Sequence, residues 1–251
     1  MPGKMRRMAR ILRGPSRRCL ILPMDHGPWI GPVKGIDRPL EITRQAVRGG
    51  ASALLIGPGF ARLVMEEMGP DMALILRVSI TPGLAPEATQ ESPVATLETA
   101  VRLDADAVAA SIFFGRGGEV AMMRYLGELA EQCGRYGMPL LAEMIPPADK
   151  VYQPEAIAHA ARIGWELGAD LVKTTYCGDV TAFRQVVQST PIPIVIAGGP
   201  AKDEREEDLL NTVRDVLQAG AAGIAFGRRV WGASDPEALL RRLHAVIFAE
   251  S

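Results

Sequence analysis

Cysteine is scarce in this chain: Cys19, Cys133 and Cys177 are the only three, an odd number set far apart. No Cys-x-x-Cys occurs, so neither a disulfide framework nor a zinc knuckle is expected, and a reducing cytoplasm fits. Histidine is equally sparse, with His26, His159 and His244. They make no cluster of the kind a catalytic divalent metal needs, so no metal and no other cofactor is expected. No apolar run approaches the roughly 18 residues of a membrane-spanning helix. An excess of one charge is missing too, with 28 basic residues against 29 acidic ones. Nothing therefore draws the chain as a whole to nucleic acid or to a membrane surface.

What the chain does have is apolar mass: 48% of its 251 residues, enough for one large barrel or two small domains. It opens with a basic stretch, MPGKMRRMARILRGPSRR, that lacks the long apolar core and small-residue cleavage site of a targeting segment. Residues 1–18 are expected to form an amphipathic arm or short helix on the outside or base of a single domain, residues 19–251.

Eight short apolar, β-branched runs recur along that domain: RCLILPMDHG, ASALLIGPG, ALILRVS, ADAVAASIFFG, MPLLAEM, ADLVKTTY, IPIVIAGG and AAGIAFGRR. Their apolarity is continuous rather than alternating, which marks strands covered on both faces. Between them lie helical stretches with start and stop signals. RPLEITRQAVRGG carries Leu40, Ala46 and Val47 on a helical repeat. SPVATLETAVRLD offers Ser92 as cap and Pro93 as first-turn proline. GEVAMMRYLGELAEQCGRYG, PEAIAHAARIGWELG, DVTAFRQVVQST, EREEDLLNTVRDVLQAG and DPEALLRRLHAVIF complete the set. Strand and helix alternating eight times, with no break in composition, predict an α/β fold of the (β/α)₈ TIM-barrel type rather than a doubly wound sheet. The longest loop, SITPGLAPEATQESP, follows strand three and is expected to cover the catalytic face.

In such a barrel the chemistry sits at the C-terminal strand ends. Strand one ends in Asp25 and His26, strand three near Arg77 and Ser79, strand four at Ser111 to Phe114. Strand five ends at Glu143, Met144 and Ile145, and strand six carries Lys173 before Tyr176. The turns after strands seven and eight hold Gly198 and Gly199, then Gly227 and Arg228. Glycine N–H groups and a guanidinium in those two turns suit a phosphate.

Lys173 admits three roles. It can be a structural lysine paired with Asp25 or Glu143, a phosphate ligand, or a nucleophile that forms a Schiff base with a carbonyl. The last also needs a proton shuttle, for which Asp25 is the first candidate, with Tyr176, Glu143 and His26 in reserve, and His26 is the candidate substrate-binding residue.

The segments LPMDHGPWIGP, GMPLLAEMIPP, AHAARIGWELGADLVKTTYCGD, PIPIVIAGGP and AGAAGIAFGRRVWGASDP resemble the class I aldolases of the archaeal fructose-bisphosphate aldolase type. The likeness is greatest to their 2-amino-3,7-dideoxy-D-threo-hept-6-ulosonate synthase branch and extends to the autoinducer-2 phosphate thiolases. It spans nearly the whole chain from residue 19. It implies Lys173 as the Schiff-base lysine, Asp25 as an acid/base group, and Gly198, Gly199, Gly227 and Arg228 as holders of a sugar phosphate. It also implies a homo-oligomer, often a decamer of two pentameric rings. The expected activity is that of an aldolase-type lyase or transferase on a phosphorylated ketose or related carbonyl compound. The alternatives are a non-catalytic sugar-phosphate-binding barrel and a thiolase-like transfer on a phosphorylated dicarbonyl. Two departures matter. The family's Tyr-Pro pair after strand five, whose tyrosine transfers protons, is Ile145-Pro146 here. Its His-Lys pair after strand two is replaced by Gly57-Pro58-Gly59.

Overall fold

Runs that are apolar at consecutive positions need cover on both faces, and a closed parallel barrel wrapped in helices supplies it. The computed structural model describes residues 2–84, 90–200 and 204–249. All eight apolar runs are strands: β1 Cys19–Pro23, β2 Ala53–Ile56, β3 Ala73–Arg77, β4 Ala107–Phe113, β5 Leu140–Ile145, β6 Leu171–Thr174, β7 Ile194–Ala197 and β8 Gly223–Ala225. Each pairs in parallel with the next, and β8 pairs with β1, closing a (β/α)₈ barrel. Nine helices of six residues or more surround it among the described residues: α1 Pro2–Ile11, α2 Pro39–Arg48, α3 Pro58–Met68, α4 Leu97–Arg102, α5 Glu119–Tyr136, α6 Pro154–Glu166, α7 Val180–Gln188, α8 Glu206–Gln218 and α9 Pro236–Ile247. Among the described residues no helix is long and apolar enough to cross a membrane.

Three local expectations are corrected. The sequence reading did not delimit α3, because its opening Pro58-Gly59 looks like loop; Pro58 is instead a first-turn proline, and Ala61, Val64 and Met68 form its buried face. In α2 the buried face is Ile42, Thr43 and Ala46, while Leu40 and Val47 reach the surface. Ser92 and Pro93 do not start α4. They pair antiparallel with Ser79–Ile80, an edge position that tolerates a proline without an N–H. The cap of α4 is Thr96, whose side chain accepts from the Thr99 N–H. Of the long loop after β3, residues 85–89 lie outside the described residues.

Inside the barrel a period of two is hidden within the continuous apolarity. Cys19, Ile21, Ala53, Leu55, Ala73, Ile75, Ala107, Ala109, Leu141, Leu171, Val195 and Ala225 belong to one buried cluster, the barrel interior. Their neighbours Leu20, Leu22, Leu54, Leu74, Val108, Leu140 and Val172 join the second cluster, with the helices. Successive side chains of a strand point to opposite faces, so here one face fills the barrel and the other packs outward. Full burial of each such Leu or Ile stabilises by roughly 1.5–3 kcal/mol.

The basic arm has a defined place in this scheme. Met8, Ile11 and Leu12 of the α1 region belong to the interior cluster, so the helix stoppers the barrel at its N-terminal end. Its cations are spread over the rim. Lys4 pairs with Asp170 at 2.9 Å and Arg10 with Asp106 at 2.8 Å. Arg7 donates to the Gly137 carbonyl and Arg13 to the Ser52 and Asp71 carbonyls. Asp106 and Asp170 also accept from the Leu74 and Leu140 N–H groups, which ties the helix to the strand starts. Ile11 is fully buried. Ile11→Val is therefore expected to destabilise by about 1 kcal/mol in urea denaturation, the cost of one methylene and the void it leaves.

Candidate active site

Toward the C-terminal end the same inward positions turn from apolar to polar. Arg77 follows Ile75, Ser111 follows Ala109, Glu143 follows Leu141 and Lys173 follows Leu171, each two residues further along its strand. Register then sets them side by side. Ser111 is the partner of Glu143 across β4 and β5, and Glu143 is the partner of Lys173 across β5 and β6. All four are buried, in a layer stacked directly on the apolar interior.

The Lys173 Nζ lies 2.6 Å from Glu143 Oε1. The other oxygen, Oε2, accepts from Arg77 Nη1 at 3.0 Å and from Ser111 Oγ at 2.7 Å. Arg77 is the hub. Its Nε donates to the Ser79 carbonyl, and its Nη2 to Ser111 Oγ and to Glu91 Oε1. Glu91 is in turn fixed by Ser79 Oγ and Thr81 Oγ1, both at 2.7 Å. Burial alone would raise the Glu143 carboxyl; Lys173 and Arg77, with the hydrogen bonds from Lys173 and Ser111, outweigh it and hold Glu143 far below the usual carboxylate range. Burial would likewise lower Arg77, but Asp25, Glu143 and Glu91 together raise it, so its charge is permanent.

Two cations, Arg77 and Lys173, thus face three carboxylates, Asp25, Glu91 and Glu143. Glu91 and Glu143 hold their cations at 3.2 Å or less. Asp25 is the looser member, 3.4 Å from Arg77 Nε and 3.4 Å from His26 Nδ1. Burial, with Lys173 and Arg228 and against Asp25, keeps the His26 imidazole below its usual pKa, so it is neutral at pH 7. Its ring stands edge-on to Trp231.

These groups surround a cavity of about 350 Å³. Asp25, His26, Glu143 and Lys173 line it, and so do Gly198, Gly199, Gly227 and Arg228. Eight of the nine residues singled out in the sequence therefore meet in one place. Gly227 has to be glycine: a Cβ there would stand 2.7 Å from the Pro23 carbonyl oxygen and 2.9 Å from His26 Cε1. The Arg228 Nε is buried without a hydrogen-bond partner among the described residues, while its guanidinium lies over Trp29 at 5.4 Å. A buried cationic donor left unmatched beside glycine turns is a place where an anion is stabilised.

Tyr176, the ninth, does not line the cavity. Thr175 points in, so the next residue points out, and the Tyr176 ring packs edge-on against Phe183 of α7. Burial, with Asp215, Cys177 and Asp179, pushes its phenol up to about 12. The sequence places Arg77 at a strand end without a role, although it carries the same signal as Lys173, a charge inside a buried strand. Glu91 lies outside the strands and carries no local signal at all. Tyr152 reaches the cavity because Thr175 Oγ1 donates to the Val151 carbonyl at 2.5 Å, tying that loop to β6. Among the described residues no group of three or more His, Cys, Asp or Glu is arranged to hold a metal.

A model of the DeoC/LacD family of aldolases matches residues 19–233. The chain is 38% identical over 247 residues to 2-amino-3,7-dideoxy-D-threo-hept-6-ulosonate synthase 1 of Archaeoglobus fulgidus, covering 98% of this chain and 92% of that one. It is 34% identical over 244 residues to 2-amino-4,5-dihydroxy-6-oxo-7-(phosphonooxy)heptanoate synthase of Streptomyces griseus, covering 96% and 89%. Among solved structures it matches an archaeal fructose-1,6-bisphosphate aldolase whose catalytic lysine is covalently bound to the carbinolamine intermediate. That match has a TM-score of 0.84 at 30% identity and covers 98% of this chain and all of the other.

Proposed function

Because this chain belongs to the DeoC/LacD family of aldolases, we propose that it makes or breaks a C–C bond through a Schiff base on Lys173, acting on a phosphorylated ketose or a related phosphorylated carbonyl compound. One observation carries this: Lys173 lines a cavity that also holds an anion-ready arginine, and its ammonium sits 2.6 Å from a carboxylate.

Attack on a ketone needs Lys173 as the amine, and Glu143 Oε1 is the nearby acceptor for the proton it sheds. Giving up that proton removes one of the cations that hold Glu143 ionised, so the transfer eases its own cost. The amine nitrogen bonds to the carbonyl carbon and forms a carbinolamine. Glu143 returns its proton to the departing hydroxyl, water leaves, and the cationic iminium remains beside a Glu143 carboxylate that Arg77 and Ser111 keep in place. The iminium is the electron sink for the C–C bond. Asp25, the least engaged carboxylate, takes the hydroxyl proton in cleavage and returns it in synthesis. Ile145, at the position of the family's tyrosine, has no proton to give.

Gly198, Gly199, Gly227 and Arg228 are assigned to the phosphate. Arg228→Ala is expected to raise the KM for a phosphorylated substrate about 10- to 100-fold, the loss of one charge-assisted contact, in steady-state kinetics. Borohydride reduction in the presence of candidate sugar phosphates, followed by peptide mass mapping, tests the reading as a whole. A stable adduct on the Lys173 peptide is expected, and its absence with every candidate would overturn the reading. The reading also includes a homo-oligomer, in keeping with the resemblance, and a reducing cytoplasmic setting, in keeping with three free cysteines of which two are buried. Light scattering on the purified protein tests the first of these.

A further inference from the structure

A second chamber, of about 510 Å³, opens beside the first at the ends of β1, β2 and β3. Asp25, Arg77 and Ile80 line both, so the two share a wall. The character of the second chamber is different. Apart from Asp25 and Arg77, the described residues lining it are glycines, prolines and apolar side chains, among them Ile36, Phe60 and Val94. Arg77 is its one cation among them, and that guanidinium is already committed to Ser79, Ser111, Glu91 and Glu143. No described side chain lining it is therefore left to pair with a phosphate or carboxylate. Where β2 ends, Gly57 and Gly59 leave space that packing does not use, since a Cβ built on either meets nothing within 4 Å.

We propose that this second chamber is the acceptor pocket of the aldol reaction, taking an aldehyde whose far end is uncharged and apolar, such as an aryl or branched alkyl group. The proposal rests on the Schiff-base reading above. The phosphorylated donor occupies the first chamber as its iminium on Lys173. Asp25 removes a proton from the carbon next to the iminium, and the enamine that results attacks the aldehyde carbon at the shared wall. The new C–C bond forms as the aldehyde π pair moves to oxygen, which takes its proton back from Asp25. Water then adds to the iminium and releases the product and the free lysine. Asp25 lines both chambers, so one carboxylate can serve the donor carbon and the acceptor oxygen in turn. An apolar chamber of this size with a single polar wall is suited to an apolar group whose reactive end faces that wall.

The test uses 2-phenylethanol, an unreactive stand-in, titrated by ligand-observed NMR into the wild-type protein, Lys173→Ala and Gly59→Phe. Alongside it, borohydride trapping is run with dihydroxyacetone phosphate and the other candidate sugar phosphates. Saturable binding is expected in the wild type and in Lys173→Ala, which cannot form an adduct, and at least about tenfold weaker binding in Gly59→Phe. Gly57→Leu fills the same space and takes the place of Gly59→Phe if that variant does not fold. No saturable binding, or binding that neither filling substitution weakens, would overturn the proposal. A Lys173 adduct without 2-phenylethanol binding overturns the chamber alone. Binding without any adduct overturns the Schiff-base reading, and the acceptor role falls with it.

Discussion

Lys173→Ala is expected to abolish the borohydride-trapped adduct and to lower turnover on the order of 10⁴-fold or more, with the barrel still folded. The size of the effect follows from the absence of a substitute. Among the described residues no other lysine lines the cavity. The fold survives because Glu143 is held from two further directions, by Arg77 at 3.0 Å and by Ser111 at 2.7 Å. The sequence posed structural pairing and nucleophilic attack as rival roles for this lysine. The structure pairs it with Glu143 and also exposes it to the cavity, so pairing does not exclude attack. Circular dichroism and mass mapping separate the two contributions. An unfolded variant would leave Lys173 as a structural cation only, and an adduct surviving on another lysine would remove it from the chemistry.

Glu143→Ala is expected to destabilise the protein by about 3–5 kcal/mol, because it leaves buried cations without their carboxylate. Lys173 loses its 2.6 Å partner, and Arg77 keeps only Glu91 and the looser Asp25. Glu143→Gln keeps the volume and one acceptor oxygen, so its effect is read more sharply in pH dependence. The folded carboxyl is depressed below its unfolded value. Its contribution is therefore fully present above the unfolded value, roughly pH 4.3, and drains away as pH falls toward the folded one. Below that pH the wild type should lose stability faster than Glu143→Gln, by up to about 1.4 kcal/mol per pH unit. Chemical denaturation at several pH values between 3 and 7 measures this. Parallel slopes for the two proteins would mean that Glu143 is not ionised in the fold.

Most of the barrel was legible because each strand is a continuous apolar run bounded by Gly, Pro or Asp, and the eight runs needed no tertiary knowledge to find. The site was legible to the same depth. A strand end and a strand number alone place Lys173, Glu143 and Asp25 at one end of the barrel. Two kinds of feature were missed. Tyr176 was misplaced through neglect of parity: residues at odd steps from Lys173 face the helices, and Tyr176 is three residues on. Arg77 shares the inward parity of its strand and could have been found by that rule. Glu91 could not. It reaches Arg77 only because the chain doubles back to pair Ser92–Pro93 with Ser79–Ile80, a tertiary event without a local cue. The second chamber was equally invisible, since it is made of glycines and prolines that read individually as turns.

The stopper helix has a consequence for the order of events at the ribosome. α1 is synthesised before every strand of the barrel, yet its seat is built from strand starts along the chain. Lys4 meets Asp170 across a separation of 166 residues, and Ile11 packs with Ala225 of the last strand in one cluster. An amphipathic ten-residue helix is marginal on its own. A segment made before the strands must then dock among the last, after they have closed on themselves. Its apolar face stays uncovered throughout elongation, in a topology whose non-local pairings already make folding slow. The four arginines and one lysine within residues 1–13 keep that waiting segment strongly charged until the barrel is ready to receive it.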